Sequence, residues 1–404
     1  MNILQLCFRM PYPLKDGGAI AMYNLSKGLA DTGVNLTLLV PITNKHDIDL
    51  NNLPESIQKL GEFHSQRINS DITLIGAFFN FFTNKPYYLT RYSDTAFKFK
   101  LKNLLKRNSY DIIIIESLKV SMYLPLIKQC SNALVVLRSH NVEHLIWQRL
   151  ARQTSGLKKL FLNVMVKRLK KFEIGTLNSF DAIAPITDMD GDFFRDNGCK
   201  IPLITTPSGI DFELFKADPQ KTKPQTFFHL GALDWLPNQE ALEWFLMDIW
   251  PLIYAEFPTL TFQVAGRNMP KSFLDSKHPG VKIIGEVDDA HAFIKENEVM
   301  IVPLISGSGM RIKVIEGMAL GKCIISTQVG AEGIAYEDGK NILIADSPQA
   351  FLEKTRLLQA DKSLAAKIGA EAIKLVQTKY NNKEIIENFL SKLQQIKPIN
   401  KKHS

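Results

Sequence analysis

The stretch SGSGMRIKVIEGMALGK, Ser306–Lys322, sets glycines, two cations and one carboxylate close together. It follows the apolar run VMIVPL, so it reads as a strand, a loop over Ser306–Gly309 and a helix over Met310–Gly321. Unpaired backbone N–H groups and the positive end of a helix dipole would converge there, and an anion fits such a place. Arg311 and Lys313 add charge-assisted donors worth about 1.5–3 kcal/mol each when engaged. Glu316 only accepts hydrogen bonds, which suits the paired hydroxyls of a ribose. Ser308 and Gly309 offer a small side chain and bare backbone to the rest of such a ligand. The same residues also fit an ordinary amphipathic helix with solvated charges.

HNVEH, His140–His144, has the spacing of a helical zinc site. Its context argues against one: His140 follows the apolar run ALVVLR after Ser139 and falls in a loop, whereas His144 is already on a helix. The two rings need not face one ion, and no third ligand is marked. On its own residues His140 reads as a loop histidine bonded to nearby backbone. Gly17 and Gly18 follow the first apolar run, where missing side chains would let backbone approach a sugar or phosphate; a plain turn reads equally from them. DMDGD, Asp188–Asp192, imitates a calcium loop with its glycine misplaced and reads better as a helix N-terminus. LIGAFFNFF, Leu74–Phe82, is too short to span a bilayer and reads as core, with the floor of a lipid-acceptor groove as the other option.

The elements that must position these residues alternate. NILQLCF, VNLTLLV, YDIIIIES, ALVVLR and DAIAPIT are short apolar strands separated by helical patterns, and TFFHLGAL, LTFQVAG, VKIIGEV, VMIVPL and CIISTQV repeat the design. Continuous apolar strands with helices between them predict parallel sheets covered on both faces, hence an α/β chain of two doubly wound domains. The expected division is 1–205, 206–378 and a final helix and tail over 379–404, which is free to pack back across the first domain. TTPSGIDFELF marks the connection between the two sheets.

At 404 residues the chain suits two domains of about 200 residues each. The charge is uneven: residues 1–205 carry 26 Lys and Arg against 17 Asp and Glu, and residues 206–404 carry 23 against 24. An acidic partner for the first half follows, either phosphate-bearing or a membrane surface, rather than a uniform nucleic-acid binder. Cys7, Cys130, Cys199 and Cys323 are dispersed in or beside apolar segments, so a reducing cytoplasm suits them better than a disulfide framework. No run approaches a signal peptide or a membrane span. SGLKKLFLNVMVKRLKKFE sets Leu157, Leu160, Phe161, Val164, Met165 and Phe172 along one helical face with Lys159, Lys167 and Lys170 largely opposite, a pattern shared by interfacial membrane helices and by basic surface helices packed on their own domain.

The second half resembles the nucleotide-sugar domain of glycosyltransferase family 4 through PSGID, FFHLGALDWLPNQEAL, FQVAGRNMP, VKIIGEVDD, VPLISGSGMRIKVIEGMALGKCIIST and GAEGI, in that order. The first half resembles the acceptor domain more loosely, through RMPYPLKDGGAIAMYNLSKGLADTG and LRSHNVEH. The resemblance implies a GT-B fold, two facing Rossmann-like domains with a cleft between them, and retaining transfer of a sugar from a nucleoside diphosphate to an acceptor hydroxyl. It implies no metal and no cofactor. Glu316 would then hold the ribose, Arg311 and Lys313 the phosphates, Ser308 or nearby backbone the sugar, and His140 a hydroxyl of that sugar, with Gly231, Arg267 and Gly309 lining the donor site. Two departures stand out. The first of the family's paired glutamates is replaced by Ser308, and the usual cations after the first donor-domain strand fall near Ala232 and Asn238. Arg311, Lys313 and Arg267 are expected to relocate the lost charge. The acceptor implied is a saccharide or lipid-linked saccharide, with an anionic membrane inner face as a possible further partner. A nucleotide-sugar epimerase of the same architecture and a non-catalytic nucleotide-sugar-binding protein are the alternatives.

Overall fold

The computed structural model describes residues 1–396 apart from Lys15, His46, Leu74, Ile75, Ala77, Phe78, Phe81 and Ser308. The chain forms two units: Met1–Gly209 together with the C-terminal helix Asn382–Gln394, and Ile210–Asn381. The crossings lie a few residues beyond the boundaries read from sequence. Gly209 packs directly on the Asn382 backbone, where a Cβ would come within 2.6 Å of Cα, so the two chain passages are fixed side by side in the first unit.

In the first unit six strands, β1 (Asn2–Leu6), β2 (Asn35–Ile42), β3 (Glu62–Arg67), β4 (Ile112–Glu116), β5 (Leu134–Ser139) and β6 (Ala182–Pro185), form a sheet in the order β3-β2-β1-β4-β5-β6. All five pairings are parallel. β4 is buried along its whole length, as its IIII run demands when helices cover both faces. The helix Asn382–Gln394 contributes Ile386, Phe389, Leu390 and Leu393 to this core. It seats closely because Gly28, on the helix Gly17–Asp31, has no side chain: a Cβ there would stand 2.4 Å from Ile386.

The second unit repeats the winding. β7 (Thr226–Leu230), β8 (Thr261–Ala265), β9 (Val281–Gly285), β10 (Val299–Val302), β11 (Cys323–Ser326) and β12 (Leu343–Ile344) pair in parallel in the order β12-β11-β10-β7-β8-β9. Each sheet thus has its first and fourth strands side by side at the centre. That pair is the switch point of a doubly wound sheet, and ligands bind outside its carboxyl ends.

The helix Gly156–Thr176 packs against its own unit. It buries Leu162, Met165 and Leu169 and packs Phe161 and Phe172 in a cluster with Tyr88, Leu89, Leu118 and Ala151. Most of its apolar side is therefore occupied within its own unit, with Leu160 left 62% exposed and Lys158, Lys159, Lys167, Lys170 and Lys171 exposed. Much of LIGAFFNFF and the whole KPINKKHS tail lie outside the described residues. Among the described residues no helix is long and apolar enough to cross a membrane.

Candidate functional site

In the second unit the loops after β7, β8 and β10 meet. The helix after β10 runs Ile312–Ala319, shorter than expected, because Arg311 adopts an extended conformation at its N-cap. Gly307 and Gly309 take φ of +105° and +86°, a region costly for residues with a Cβ. At Gly307 a Cβ would also stand 2.9 Å from the Trp235 ring, so the glycine lets the two loops close on each other. Arg311 lies over that same indole, 5.1 Å from its centroid, and its Nη1 donates to the Gly309 carbonyl at 2.7 Å. Ser306 Oγ donates to Glu240 at 2.6 Å, tying the loop to the helix Leu236–Trp244.

Glu316 is buried, and Lys313 ion-pairs with it at 2.7 Å from one helical turn earlier. Lys313 therefore neutralises the carboxylate in this arrangement, whereas the sequence reading gave it to a diphosphate. Arg267 approaches Asp234 at 3.8 Å, and Gly266 packs so closely on the Gly231 carbonyl that no Cβ would fit. Gly231 itself borders the Asn238 amide, whose Nδ2 donates to the Ala232 carbonyl at 2.9 Å. Of the expected donor residues, Gly231, Arg267, Gly309, Arg311, Lys313 and Glu316 thus belong to the loops and helix at one end of this sheet, and Ser308 lies outside the described residues.

Two histidines of this unit escaped the sequence reading. His229 on β7 is buried, its Nδ1 bonds the Ile301 carbonyl at 3.0 Å and its Nε2 points beside Gly231. Burial lowers its pKa despite that bond, so the ring is neutral near pH 7. His291 is also lowered by burial, with Glu316 pulling the other way, which places the ring within electrostatic reach of that carboxylate. A histidine inside an apolar strand was the available signal for the first; the second had none.

The first unit carries a different arrangement at its own switch point. Glu116 ends β4 fully buried; its Oε1 accepts from Gln5 Nε2 at 2.8 Å, and its Oε2 lies 2.6 Å from His140 Nε2 and 3.5 Å from Arg138 Nη1. Arg138 Nη1 also donates to the Ala21 carbonyl at 2.9 Å, and Ser26 donates to Gln5 at 2.7 Å. Burial works to raise the Glu116 pKa, but the Arg138 charge and the His140 bond outweigh it and hold the carboxyl below its ordinary value. Burial lowers the His140 pKa, outweighing the pull of Glu116. A neutral His140 donating from Nε2 keeps its lone pair on Nδ1, where it can accept from a hydroxyl.

His144 serves another carboxylate. Its Nδ1 lies 2.7 Å from Glu173, which also accepts from the backbone N–H groups of Glu143 and His144 and so closes the start of the helix Glu143–Arg152. Among the described residues no group of three or more His, Cys, Asp or Glu is arranged to hold a metal ion. Gly17 and Gly18 begin the helix Gly17–Asp31 rather than a bare loop, and Asp16 already accepts from the N–H groups of Gly18 and Ala19. DMDGD likewise opens a helix, capped by Thr187.

Residues 224–361 match the family model described as glycosyl transferases group 1. An uncharacterized 44.6 kDa protein in the cps region of Klebsiella pneumoniae is 23% identical, over 94% of this chain and 96% of its own length. Sucrose-phosphate synthase from Thermosynechococcus elongatus superposes with a TM-score of 0.69 at 15% identity, covering 98% of each chain. Anabaena HepE in complex with UDP and glucose gives 0.63 at 13%, covering 98% of this chain and 99% of that one. An S. aureus TarM mutant in complex with Fondaparinux, alpha-GlcNAc-glycerol and UDP gives 0.66 at 11%, covering 98% and 100%. The chain has the GT-B fold, and with the group 1 match across most of its second unit the findings support a nucleotide-sugar glycosyltransferase.

Proposed function

We propose that the protein is a retaining, metal-independent glycosyltransferase of family 4 type that moves a hexosyl group from a nucleoside diphosphate sugar to an acceptor hydroxyl. The observation that carries this reading is the constellation after β10: a buried acceptor-only carboxylate, Glu316, beside an arginine stacked on Trp235 in a glycine-shaped loop. Glu316 accepts from the ribose hydroxyls, Arg311 holds the diphosphate with help from Lys313 and Arg267, and His140 accepts from a hydroxyl of the sugar through Nδ1. The cations stabilise the charge that develops on the departing diphosphate. Its released oxygen takes the acceptor's proton on the face of attack, which gives retention without a covalent intermediate. The relative from a cps region supports a role in cell-surface polysaccharide synthesis, and we place that work at the cytoplasmic face of the membrane as part of the same proposal. The exposed lysines of the helix Gly156–Thr176 would supply salt-sensitive attraction to an anionic leaflet.

UDP, held by the HepE and TarM complexes, is the first nucleotide to test. A screen of nucleoside diphosphate sugars for thermal stabilisation should find one that raises the melting temperature. That donor should then yield, with a saccharide acceptor, a product of unchanged anomeric configuration by NMR. Inverted product would remove the retaining mechanism, turnover of donor to its epimer without acceptor would favour an epimerase, and binding without any turnover would favour a sugar-nucleotide-binding protein.

A further inference from the structure

Ser117, directly after β4, holds φ of +81° and ψ of 151°, a backbone region in which a side chain is strained and glycine is not. It is buried, with Glu116 on one side in sequence and the helical turn Leu118–Tyr123 on the other. A glycine would take this conformation freely, so the serine side chain must contribute enough to offset the strain. Its hydroxyl donates to Glu143 Oε1 at 3.2 Å and accepts from the Lys119 N–H at 3.4 Å, while its own N–H donates to the Arg138 carbonyl at 2.9 Å. Glu143 is buried as well, and its Oε2 accepts from Tyr88 Oη at 2.8 Å. An acceptor-only group at that depth needs donors on both oxygens, and Ser117 supplies one of them.

His140 and Glu143 share one short segment between β5 and the helix Glu143–Arg152, and Glu116 and Ser117 are consecutive. The same two segments are therefore joined twice. The His140 ring bonds the Glu116 carboxylate at 2.6 Å, and the Ser117 hydroxyl bonds the Glu143 carboxylate. One cross-link would let the ring swing about it; two, each with its acceptor on a different segment, fix both distance and direction. We propose that Ser117 is a positioning residue for His140, acting through Glu143: its strained backbone keeps the two cross-links in register, so that the ring presents Nδ1 to a sugar hydroxyl. The role of His140 rests on the glycosyltransferase reading, whereas the placement of its ring is a property of the chain without ligand.

The test uses the full chain with isotopically labelled histidine and nitrogen NMR, the His140 signals assigned by their loss in His140→Asn. A carboxylate can only accept, so the parent should show His140 protonated at Nε2 and bare at Nδ1. Ser117→Gly, which removes the strain together with the bond, should turn this single tautomer into a mixture. With the donor found by the thermal screen, kcat should fall at least about tenfold while UDP affinity stays within about twofold, because a misplaced contact with the reacting sugar costs rate rather than nucleotide binding. Glu143→Met cuts the same bond from the other partner should Ser117→Gly prove unstable. Ser117→Ala loses the bond and keeps the strain, so its urea midpoint should lie below that of Ser117→Gly. Tyr88→Phe spares the Ser117 bond and should keep the parent tautomer. A single Nε2–H tautomer with parental kcat in folded Ser117→Gly overturns the proposal. So does a midpoint for Ser117→Ala no lower than that of Ser117→Gly, which would show that Ser117 carries no strain. The same mixing in Tyr88→Phe would assign the effect to general loosening around Glu143 and overturn the role of Ser117. If no nucleotide sugar binds or turns over while Ser117→Gly still mixes the tautomers, the positioning stands and the glycosyltransferase reading falls.

Discussion

The two units wind their strands identically yet equip the carboxyl ends of their central strands in opposite ways. In Ile210–Asn381 the end is shaped by glycines: Gly231 and Gly266 let backbone pack closely and Gly307 lets its loop close on Trp235, while the buried Glu316 pairs with Lys313. In the first unit the corresponding end is filled by side chains: Gln5, Glu116, Arg138 and His140 form a buried charged network whose members hold one another. The same scaffold thus carries one carboxylate paired with a half-exposed lysine and another enclosed in a buried network with its own histidine. The partners explain the contrast: Glu116 is sealed in and must be paired by buried groups, while Glu316, itself buried, is paired by a lysine that solvent still reaches.

Glu116→Gln should be the most damaging single substitution in this network. It leaves Arg138 buried without its counter-charge, and removing one partner from a buried ion pair costs about 3–5 kcal/mol. Urea denaturation should show a loss of that size, whereas Glu316→Gln, beside a half-exposed lysine, should cost under about 1 kcal/mol of stability. Equal losses would mean that the two ends are not built differently.

Ligand binding should reverse the ranking. Glu316→Gln presents donors where ribose hydroxyls need an acceptor, and UDP affinity should fall by roughly 1–3 kcal/mol in calorimetry. Arg311→Gln should weaken UDP by about 1.5–3 kcal/mol while barely altering uridine, because a guanidinium meets the diphosphate and not the nucleoside. Unchanged UDP affinity in folded Glu316→Gln would take that residue out of the site. Equal losses for UDP and uridine in Arg311→Gln would point to a collapsed loop.

What the sequence displays and conceals follows from the same contrast. Runs such as IIII in β4 announce a strand covered on both faces, and Gly307 and Gly309 announce a special turn. β3, EFHSQR, is an edge strand half-exposed through its middle with Phe63 its one apolar residue, and β12 spans two residues, so neither offers an apolar run of ordinary strand length. Glu116 and Arg138 are concealed for another reason. Each sits at the end of an apolar strand where a charge usually meets water, and their burial depends on strands paired across long sequence separations. The apolar face of Gly156–Thr176 is visible in the sequence, but what covers it comes from segments as distant as Tyr88 and Leu118.

pH offers a finer probe of the first unit. The folded His140 pKa is lowered, chiefly by burial, so its contribution to stability is present above the ordinary histidine value of about 6.5 and is lost as pH falls from there towards the folded pKa. Glu116, also lowered because Arg138 and His140 outweigh its burial, holds its contribution further down and loses it below the ordinary carboxyl range. His140→Asn should flatten the stability profile as pH falls below about 6.5, although the lowered His229 and His291 leave a remaining slope there. An unaltered slope would show that His140 titrates alike in the folded and unfolded chain.

The smallest expected effect concerns Lys313, and it distinguishes a cation aimed at a ligand from one that serves its own carboxylate. Lys313 is 39% exposed at its side chain and already paired with Glu316 one turn away. A pair of that kind contributes about 0–1 kcal/mol, since solvent screens it and the lysine surrenders rotamer freedom to form it. Lys313→Gln should therefore lower UDP affinity by less than about 1 kcal/mol, clearly less than Arg311→Gln, and leave stability within about 0.5 kcal/mol of the parent. Combining Lys313→Gln with Glu316→Gln should give less than the sum of the separate losses if the two groups act as a pair. Should Lys313→Gln weaken UDP as strongly as Arg311→Gln, with uridine unaffected, the lysine must leave Glu316 for the diphosphate when the nucleotide binds. The carboxylate would then be released to the ribose by the same event that recruits the lysine.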